Sequence, residues 1–596
     1  MPVTLNIAKH GPYEYVHILK SYRNAEGKPR NKIVENHGRK DKLLAAKPNA
    51  LEELRAHVEE LNRFEEEQKI KTLEEQAGRY MKDLKNLVEN PRRSCESAKA
   101  LNVGIACVKK LWEQAKMDDA FRYLQTQTRA RYSLNQVAFA VTAMRMLCPS
   151  SKLQNYDHRS DFIIELEDLK KLDRLYKILD ELNERKDYLF KQINKGVEAI
   201  CGKRNVNLAF YDVTTYAFES RTQSELRDFG LSKDHKVNEV QVVLGLVMDE
   251  NGIPIDFELH KGNTSEFKTM CPLIEKIRKQ YKIDRMIVIA DRGLNSNENL
   301  QLLHDSGCEF IIAQKIKNAS AEKKNYILNE ENWEQVRCDE EGEVSFKLKT
   351  LSTDIDLHDT IEKEGRKAVS GKKKIGSLPV RWLVTYSAKR AAKDLADIDR
   401  MQERAIKGLE NPSSIKSSNG WKSFLKNEDG NGKYVLNTAK IEAQKMWAGY
   451  YAVCTNVKGF TNEEVLKMHR QLWRIEDCFR ISKTSLEARP AFVWTDDHIR
   501  GHFVSCYIAL VLERLLEFQL DKAGTHIPTN QILETLREAS VVALGLDLTT
   551  KVYVKLDATE AFDTICKTLG LGVLRTYETG TSLQTKLHFR GINSVL

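Results

Sequence analysis

The chain has no run of about twenty apolar residues, the length a membrane-spanning helix requires. Its longest apolar runs are VVLGLVM (242–248) and FVSCYIALVL (503–512). The opening MPVTLNIAKHG has no unbroken apolar stretch of the kind a secretory signal needs. A soluble, intracellular protein is expected. The eleven cysteines are odd in number and scattered from Cys95 to Cys566, and none forms a CxxC pair. Neither a zinc site nor a disulfide framework is indicated, and reduced thiols are expected. His498 and His502 have helical i, i+4 spacing, but no HExxH frames them, so a structural role on a helix face is expected. Gly230 to Lys236 (GLSKDHK) lacks GxxxxGK[ST], and no Gly-x-Ser-x-Gly elbow occurs, so neither ATP use nor serine hydrolysis is expected. No internal repeat is found.

What is present is a long chain of mixed character. Its 596 residues are 41% apolar and 8% aromatic, enough for about three or four domains with large cores. The net charge of +9 is concentrated. Residues 1–50 carry ten Lys/Arg against four Asp/Glu, and residues 361–430 carry sixteen against nine. Two basic regions on a near-neutral body suit a polyanion, with DNA or RNA the first candidate, although basic stretches also serve simply as solvated surface.

Residues 13–36 read as a β-hairpin around the turn NAEGKP, and 50–90 as a charged helix. Further helices are expected over 98–200, including 135–147 and 172–197. Near 205 the texture changes to strands: VNLAFYDVTT (206–215), EVQVVLGLVMD (239–249) and IPIDFELH (253–260), with the hairpin signal Asn251-Gly252 between the last two. A helix (265–280), a buried-type strand (286–290), a helix (296–306) and a strand (310–313) follow. The order β-β-β-α-β-α-β predicts a mixed sheet covered by helices. Residues 320–448 are polar and basic, with Gly- and Ser-rich passages, and are too long for a loop, so a β-rich subdomain is expected. A strand (450–456) then returns the chain to the core, followed by helices at 461–486 and 497–519.

Three carboxylates stand out in this order. Asp212 shares a strand face with Val206, Leu208 and Phe210, where a charge must be paired, hydrogen-bonded or metal-bound. Asp291 directly follows MIVIA, and ligands of open α/β sheets bind at the carboxyl ends of strands. Glu476 lies on an amphipathic helix, LWRIEDCFRISK, sharing a face with Arg480 and Lys483. Phosphodiester chemistry needs an activated nucleophile and a stabilised oxyanion. Two Mg²⁺ ions about 4 Å apart supply both, and hard cations take carboxylate oxygens. Two strand aspartates and a helix glutamate form such a donor set, and Arg480 and Lys483 are placed to hold a DNA backbone. Each residue also has an ordinary reading: a turn or cap for an aspartate at a strand end, an i, i+4 ion pair for Glu476 and Arg480.

Four segments carry a family resemblance: YDVTTYAFES (211–220), LRDFGLSKDHKVNEVQVVLGLVMDENGIPIDFELHKGNTSE (226–266), VIADRGLNSNENL (288–300) and HRQLWRIEDCFRISKTSLEARPAFVWTDDHIRGHF (469–503). With a weaker likeness at the N-terminal hairpin, the chain resembles bacterial insertion-sequence transposases of the DDE class. Within them it resembles the cut-and-paste group with a β-rich insertion before the catalytic glutamate, the insertion-sequence-four superfamily. The resemblance implies an α/β, RNase H-like mixed sheet flanked by helices, interrupted by that insertion, with a helical N-terminal region. It implies catalysis and metal binding by Asp212, Asp291 and Glu476, with two Mg²⁺ or Mn²⁺ ions. It implies DNA contacts from Lys483, Arg480, Arg474, Arg470 and Arg292. The family's Tyr-Arg-Glu-Lys signature is only partly kept: Lys483 has its spacing from Glu476, but His469 and Leu472 occupy the Tyr and Arg positions. Trp382 and Trp421 are candidates to engage a flipped base, or else buried core.

The implied partners are transposon-end and target double-stranded DNA and a second copy of the chain, in the bacterial cytoplasm on the nucleoid. The implied layout is a basic, DNA-end-binding hairpin region (1–49), a helical region (50–200), a catalytic core (201–319 plus 449–525), the insertion (320–448) and a C-terminal region suited to dimerisation (526–596). The competing readings are another RNase H-like nuclease and a non-catalytic, transposase-derived DNA-binding protein.

Overall fold

The computed structural model describes residues 3–23, 29–89, 99–204, 207–230, 239–264, 269–281, 283–361, 371–410, 420–428, 434–544, 552–556 and 559–589. Most of the turn expected at 24–29, all but Gly230 of the stretch to Lys236, the start of the helix expected at 265–280 and much of the Gly- and Ser-rich passages lie outside the described residues. The chain divides into two units. Residues 1–107, 160–165 and 535–596 form one, and 108–159 with 166–534 form the other.

In the first unit the expected hairpin is part of a three-stranded antiparallel sheet, β1 (Val3–His10), β2 (Tyr13–Arg23) and β3 (Pro29–Arg39). A short helix, α1 (Lys40–Ala46), precedes the 40-residue α2 (Ala50–Glu89). Leu54 and Val58, one helical turn apart on α2, pack on Val3, Leu5 and Ile18 of the sheet. A second sheet joins distant parts of the sequence: β4 (Ala100–Asn102) pairs with Ser540–Leu544, which continues to Val552–Lys555 and Tyr577–Thr579.

The second unit begins with helices: α3 (Gly104–Gln114), which starts in the first unit, α4 (Met117–Gln125), α5 (Leu134–Leu147), α6 (Lys152–Asp157), α7 (Asp173–Glu184) and α8 (Lys186–Cys201). The single helix expected over 172–197 is therefore two, broken at Arg185. Neither Pro nor Gly marks the break. Packing imposes it: α7 buries Leu175, Ile178, Leu179 and Leu182, and α8 buries Leu189, Phe190, Ile193 and Val197.

The strands then follow as the pattern predicts: β5 (Leu208–Ala217), β6 (Gln241–Met248), β7 (Pro254–Lys261), α9 (Met270–Tyr281), β8 (Ile287–Ala290), α10 (Asn297–Asp305), β9 (Glu309–Ala313) and α11 (Ala321–Leu328). Next come β10 (Gln335–Cys338), β11 (Val344–Ile361), β12 (Gly371–Ser387), α12 (Ala388–Leu409), β13 (Leu425–Asn427), β14 (Tyr434–Leu436), α13 (Thr438–Lys445), β15 (Tyr450–Thr455), α14 (Asn462–Arg470), α15 (Trp473–Arg480) and α16 (Asp496–Lys522). Nine of these strands form one sheet in the order β10-β11-β12-β15-β9-β8-β5-β6-β7. β5, β8 and β9 run parallel, and the other pairings are antiparallel. The β7-β6-β5-β8-β9 portion, three antiparallel strands and then two parallel ones, is the RNase H-like arrangement expected from the sequence. β10, β11 and β12 extend that same sheet. β13 and β14 pair apart from it, over a small core of Ile398, Ala405, Phe424 and Ile441.

Alternation along β5 divides its two faces. Ala209, Tyr211 and Val213 join the core under α9 and α10 with Ile274, Ile277, Leu300 and Leu303. On the other face Tyr216 meets Phe503 of α16, with ring centroids 4.9 Å apart. Nearby, Phe190, Phe257 and Tyr507 stack together, with Phe190 and Tyr507 4.1 Å apart. Each such buried aromatic contributes about 2–3 kcal/mol.

One buried ion pair ties the second strand pair to the helices. Arg204 and Asp249 are both fully buried, 2.8 Å apart. Arg204 also donates to the carbonyls of Ile253 (2.6 Å) and Pro254 (3.0 Å) and to Asn194 of α8. Asp249 accepts the backbone N–H groups of Asn251 and Ile253, both at 3.0 Å. Apart from Asn194, the partners named for this pair lie in or beside the β6–β7 turn, where Gly252 takes a left-handed φ of 79°.

Two expectations follow from this packing. Gly501 lets α16 approach α7 so closely that a Cβ would lie 1.9 Å from the Leu179 carbonyl oxygen. Gly501→Ala will therefore destabilise the protein by at least about 1–3 kcal/mol, read as a lowered urea midpoint. Lys152 is buried, its Nζ has no hydrogen-bond partner among the described residues, and burial, aided by Arg145, pushes its ammonium down to about 7. A lysine whose folded pKa is depressed penalises the fold fully below about pH 7, and the penalty fades as pH rises towards the ordinary lysine range. The Tm of Lys152→Met will exceed that of the wild type most at pH 6–7, and the gap will close towards pH 10.

Candidate active site

The parallel pairing of β5 and β8 sets Tyr211 opposite Ala290. One residue further on each strand come Asp212 and Asp291. Neighbouring strands lie about 4.8 Å apart, so the two aspartates sit side by side where β8 ends. Asp212 is half-buried, and its Oδ1 accepts the Val213 N–H at 2.7 Å. Asp291 is exposed and opens the short 3-10 turn Arg292–Leu294.

Glu476 lies exposed on α15, whose opposite face buries Ile475, Cys478 and Phe479. α15 packs against β5. The following turn, Ile481–Ser485, is a π-helix, closed by Leu486 N–H donating to the Ile481 carbonyl at 2.8 Å. Wide turns of this kind occur often at functional sites. Two donors fix the end of this segment. Arg145 of α5 donates to the Glu487 carbonyl at 3.0 Å, and the His502 ring Nε2 lies 3.0 Å from the Ala488 carbonyl.

Tyr451 on β15 reports on both ends of the acidic set. Burial first, then the negative charge of Asp291, pushes its phenol up to about 12; Arg390 and Arg292 oppose this and Glu476 adds to it. Beside it stands His469, with ring centroids 5.8 Å apart. Burial pushes His469 down to about 4 against the pull of Asp291, so it is a neutral imidazole at pH 7. The charges of Asp291 and Glu476 thus both act on the Tyr451 phenol, and the β5–β8 register sets Asp212 next to Asp291. Among the described residues, however, no three His, Cys, Asp or Glu side chains converge closely enough to hold a metal ion. The donor chemistry, three carboxylates at the carboxyl end of a sheet with two of them exposed, suits a hard divalent cation.

The cations expected near the site are placed differently from one another. Arg474 donates to the Glu250 carbonyl at 2.5 Å and lies over Gly252. Arg480 donates twice to Asp477, at 2.9 and 2.6 Å, and to Asn530 at 3.2 Å. Lys483 is half-buried on the π-turn, its Nζ 5.4 Å from the Tyr216 ring centre. Arg470 and Arg292 are exposed. Arg292 lines a cleft of about 520 Å³ together with Lys315, Lys317, Arg390, Trp447 and Tyr451. The sequence reading did not single out the last five of these. They come from three separate stretches, and only Arg390, opening α12 inside a basic region, carried any local signal.

The remaining candidates have structural surroundings. Trp382 is buried in the main core, with Lys323 Nζ 4.9 Å from its ring. Trp421 packs against Gly408 and the small insertion core. His498 lies 3.3 Å from Asp180, while His502 faces Ala488, so the two histidines have different partners. None of the helices among the described residues is long and apolar enough to cross a membrane.

Comparison with known proteins adds two family matches. Residues 217–512 match the Transposase DDE domain, and residues 4–76 match the IS1634 family transposase, N-terminal domain. The first match includes Asp291 and Glu476 and begins just after Asp212. A search of curated proteins finds no match. Among solved structures, a cryo-EM piggyBac transposase synaptic complex with hairpin DNA is similar at 8% identity, covering 73% of this chain and 79% of that one with a TM-score of 0.34. A likeness that distant carries no argument.

The bond from Tyr216 OH to Ser482 Oγ, 2.9 Å and buried, ties β5 to the π-turn that bears Lys483. Tyr216→Phe will cost about 1–2 kcal/mol in urea denaturation. Adding Ser482→Ala to it will cost little more, since the shared bond is already gone.

Proposed function

Because the chain belongs to the insertion-sequence DDE transposases, we propose that it binds the terminal inverted repeats of an insertion sequence and catalyses DNA cleavage and strand transfer there. The observation that carries the reading is the β5–β8 register, which sets Asp212 beside Asp291, with the Glu476 helix packed on β5.

Asp212, Asp291 and Glu476 would hold Mg²⁺ or Mn²⁺, two ions in the full site. When bound, the ions supply activation of the attacking oxygen and stabilisation of the leaving one. The protein's own groups do the rest. Arg292, Lys317 and Arg390 line one cleft beside Asp291 and offer positive charge to a phosphodiester backbone. Tyr451 and His469 stay uncharged at neutral pH and so add no competing charge near Asp291. Hydrolysis of one strand frees a 3′-OH, which then attacks the second strand or target DNA. Lys483 and Arg470 supply further backbone contacts.

The N-terminal region, 1–49, reads the element's ends, in keeping with its basic charge. Residues 526–596 contribute to a dimer that holds two ends together. The protein acts on nucleoid DNA in the bacterial cytoplasm.

The test is cleavage of labelled DNA carrying the element's own ends, with Mg²⁺ or Mn²⁺. Asp212→Asn, Asp291→Asn and Glu476→Gln will each lower cutting by about a thousandfold or more, equivalent to roughly 4 kcal/mol of transition-state stabilisation, while end binding persists. Binding without cutting by the wild type would instead indicate a DNA-binding protein. Cutting that survives all three changes would place the active site elsewhere.

A further inference from the structure

Glu476 sits on a helix of only eight residues followed by a π-turn. Such a short helix has little of its own to stop it rolling about its axis. The neighbouring residue, Asp477, points about 100° further round, and there the structure is unusually well fastened. Asp477 Oδ2 accepts Arg514 Nη2 of α16 at 2.5 Å. Its Oδ1 accepts Arg480.

Arg514 is itself nearly buried, at 8% exposed. Its other end binds Glu517 one turn along α16. A third carboxyl, Glu513, is fully buried 3.7 Å from Arg514 Nε, and neither of its oxygens has a hydrogen-bond partner among the described residues. Burial pushes that group up to about 8, so at neutral pH it is mostly uncharged. Asp477 and Glu517 are then the anions that answer Arg514, and its guanidinium fork spans α15 and α16 between them.

We infer that Arg514 is a positioning residue for Glu476: through Asp477 it fixes the rotation of α15 and so the direction in which the Glu476 carboxylate points. The inference rests on the proposed metal-binding role of Glu476. The clamp is a planar, two-ended one, which a lysine of equal charge cannot reproduce. Among the described residues Arg514 pairs with Asp477, Glu513 and Glu517 and not with Asp212, Asp291 or Glu476, so its effect on the acidic set passes through placement. Groups that orient a metal-binding side chain typically cost about 10–100-fold in metal affinity or activity when lost.

The test uses the full-length protein and two readouts, Mn²⁺ binding by titration calorimetry and cleavage of end DNA. Arg514→Lys and Arg514→Met are each compared with wild type, Glu476→Gln and Asp477→Asn, and folding is followed by Tm. The expected result is Mn²⁺ binding weakened about tenfold in both Arg514 variants, with a matching rise in the metal concentration needed for half-maximal cutting and end binding within about twofold of wild type. Combining Asp477→Asn with Arg514→Met will add little to the larger single loss, because both break one link.

Unchanged Mn²⁺ affinity in the folded Arg514→Lys protein would overturn the inference, as would losses that multiply in the double variant. Glu476→Gln without effect on Mn²⁺ binding would overturn it too, because nothing would then need positioning. If Mn²⁺ binding follows Glu476 and Arg514 but the wild type does not cut, the clamp stands and the transposase reading fails.

Discussion

The buried pair of Arg204 and Asp249 is the constraint on which the site's geometry depends. Two ions without water are tolerated only when every remaining donor and acceptor is used, and here the turn between β6 and β7 uses them. Breaking one side would leave a buried charge unanswered, at a cost of about 3–5 kcal/mol. The turn so fixed is also the dock for α15. Arg474 bonds the Glu250 carbonyl, its stem lies on Gly252, and the Cys478 thiol faces the Gly252 carbonyl at 3.7 Å. A side chain at Gly252 would meet Arg474 at 3.2 Å and would need the left-handed φ that glycine takes most easily. Thus a pair outside the acidic set helps to set where the Glu476 helix rests, and Arg474 is the link between them.

Much of this architecture was legible because it is written locally. β5 to β9 are strongly apolar, β-branched runs, and Asn251-Gly252 marks its hairpin by conformational necessity. What was not legible depends on partners far away. Only Val3 of the eight residues of β1 is buried, so no buried stripe announces the strand. The break at Arg185 has no Pro or Gly and is set by packing. The expected β-rich subdomain of 320–448 contains strands that lengthen the main sheet, because β12 pairs with β15, whose register joins Arg381 to Thr455. Local pattern can suggest that such a segment is a strand, but not which edge it will find.

The site divides along the same line. Asp212 was placed on a strand face by periodicity and Asp291 at the end of a later buried strand, and a parallel register then makes them neighbours. Glu476 was placed on a helix face, but its surroundings were not foreseeable. Arg480, on that face and at i+4, reads equally as a DNA contact or an ion pair with Glu476, whereas the structure pairs it with Asp477. Arg514, thirty-seven residues beyond Asp477 in sequence, gives no sign of its role within a helix that reads as plain apolar core. Tyr451 and His469 owe their shifted pKa values first to burial, with Asp291 adding to the shift of the phenol and opposing that of the imidazole, and no linear motif records this.

The position of β15 has a consequence for how the molecule is made. It fills the gap between β9 and β12, and its pairing of Val453 with Ala313 spans 140 residues of chain. At about 5–20 residues per second, a ribosome finishes β9 roughly 7–28 seconds before β15 exists. Throughout that interval β9 has an open edge, the condition under which strands recruit the wrong partner. Glu476 is younger still. A growing chain therefore carries both aspartates for some time without the third carboxylate or the strand that braces them, and a message broken between β12 and β15 yields a sheet without the strand that joins its two parts. Any fragment that ends between Asp291 and Glu476 carries two of the three carboxylates and not the third, so the order of synthesis keeps the acidic set incomplete until Glu476 is made.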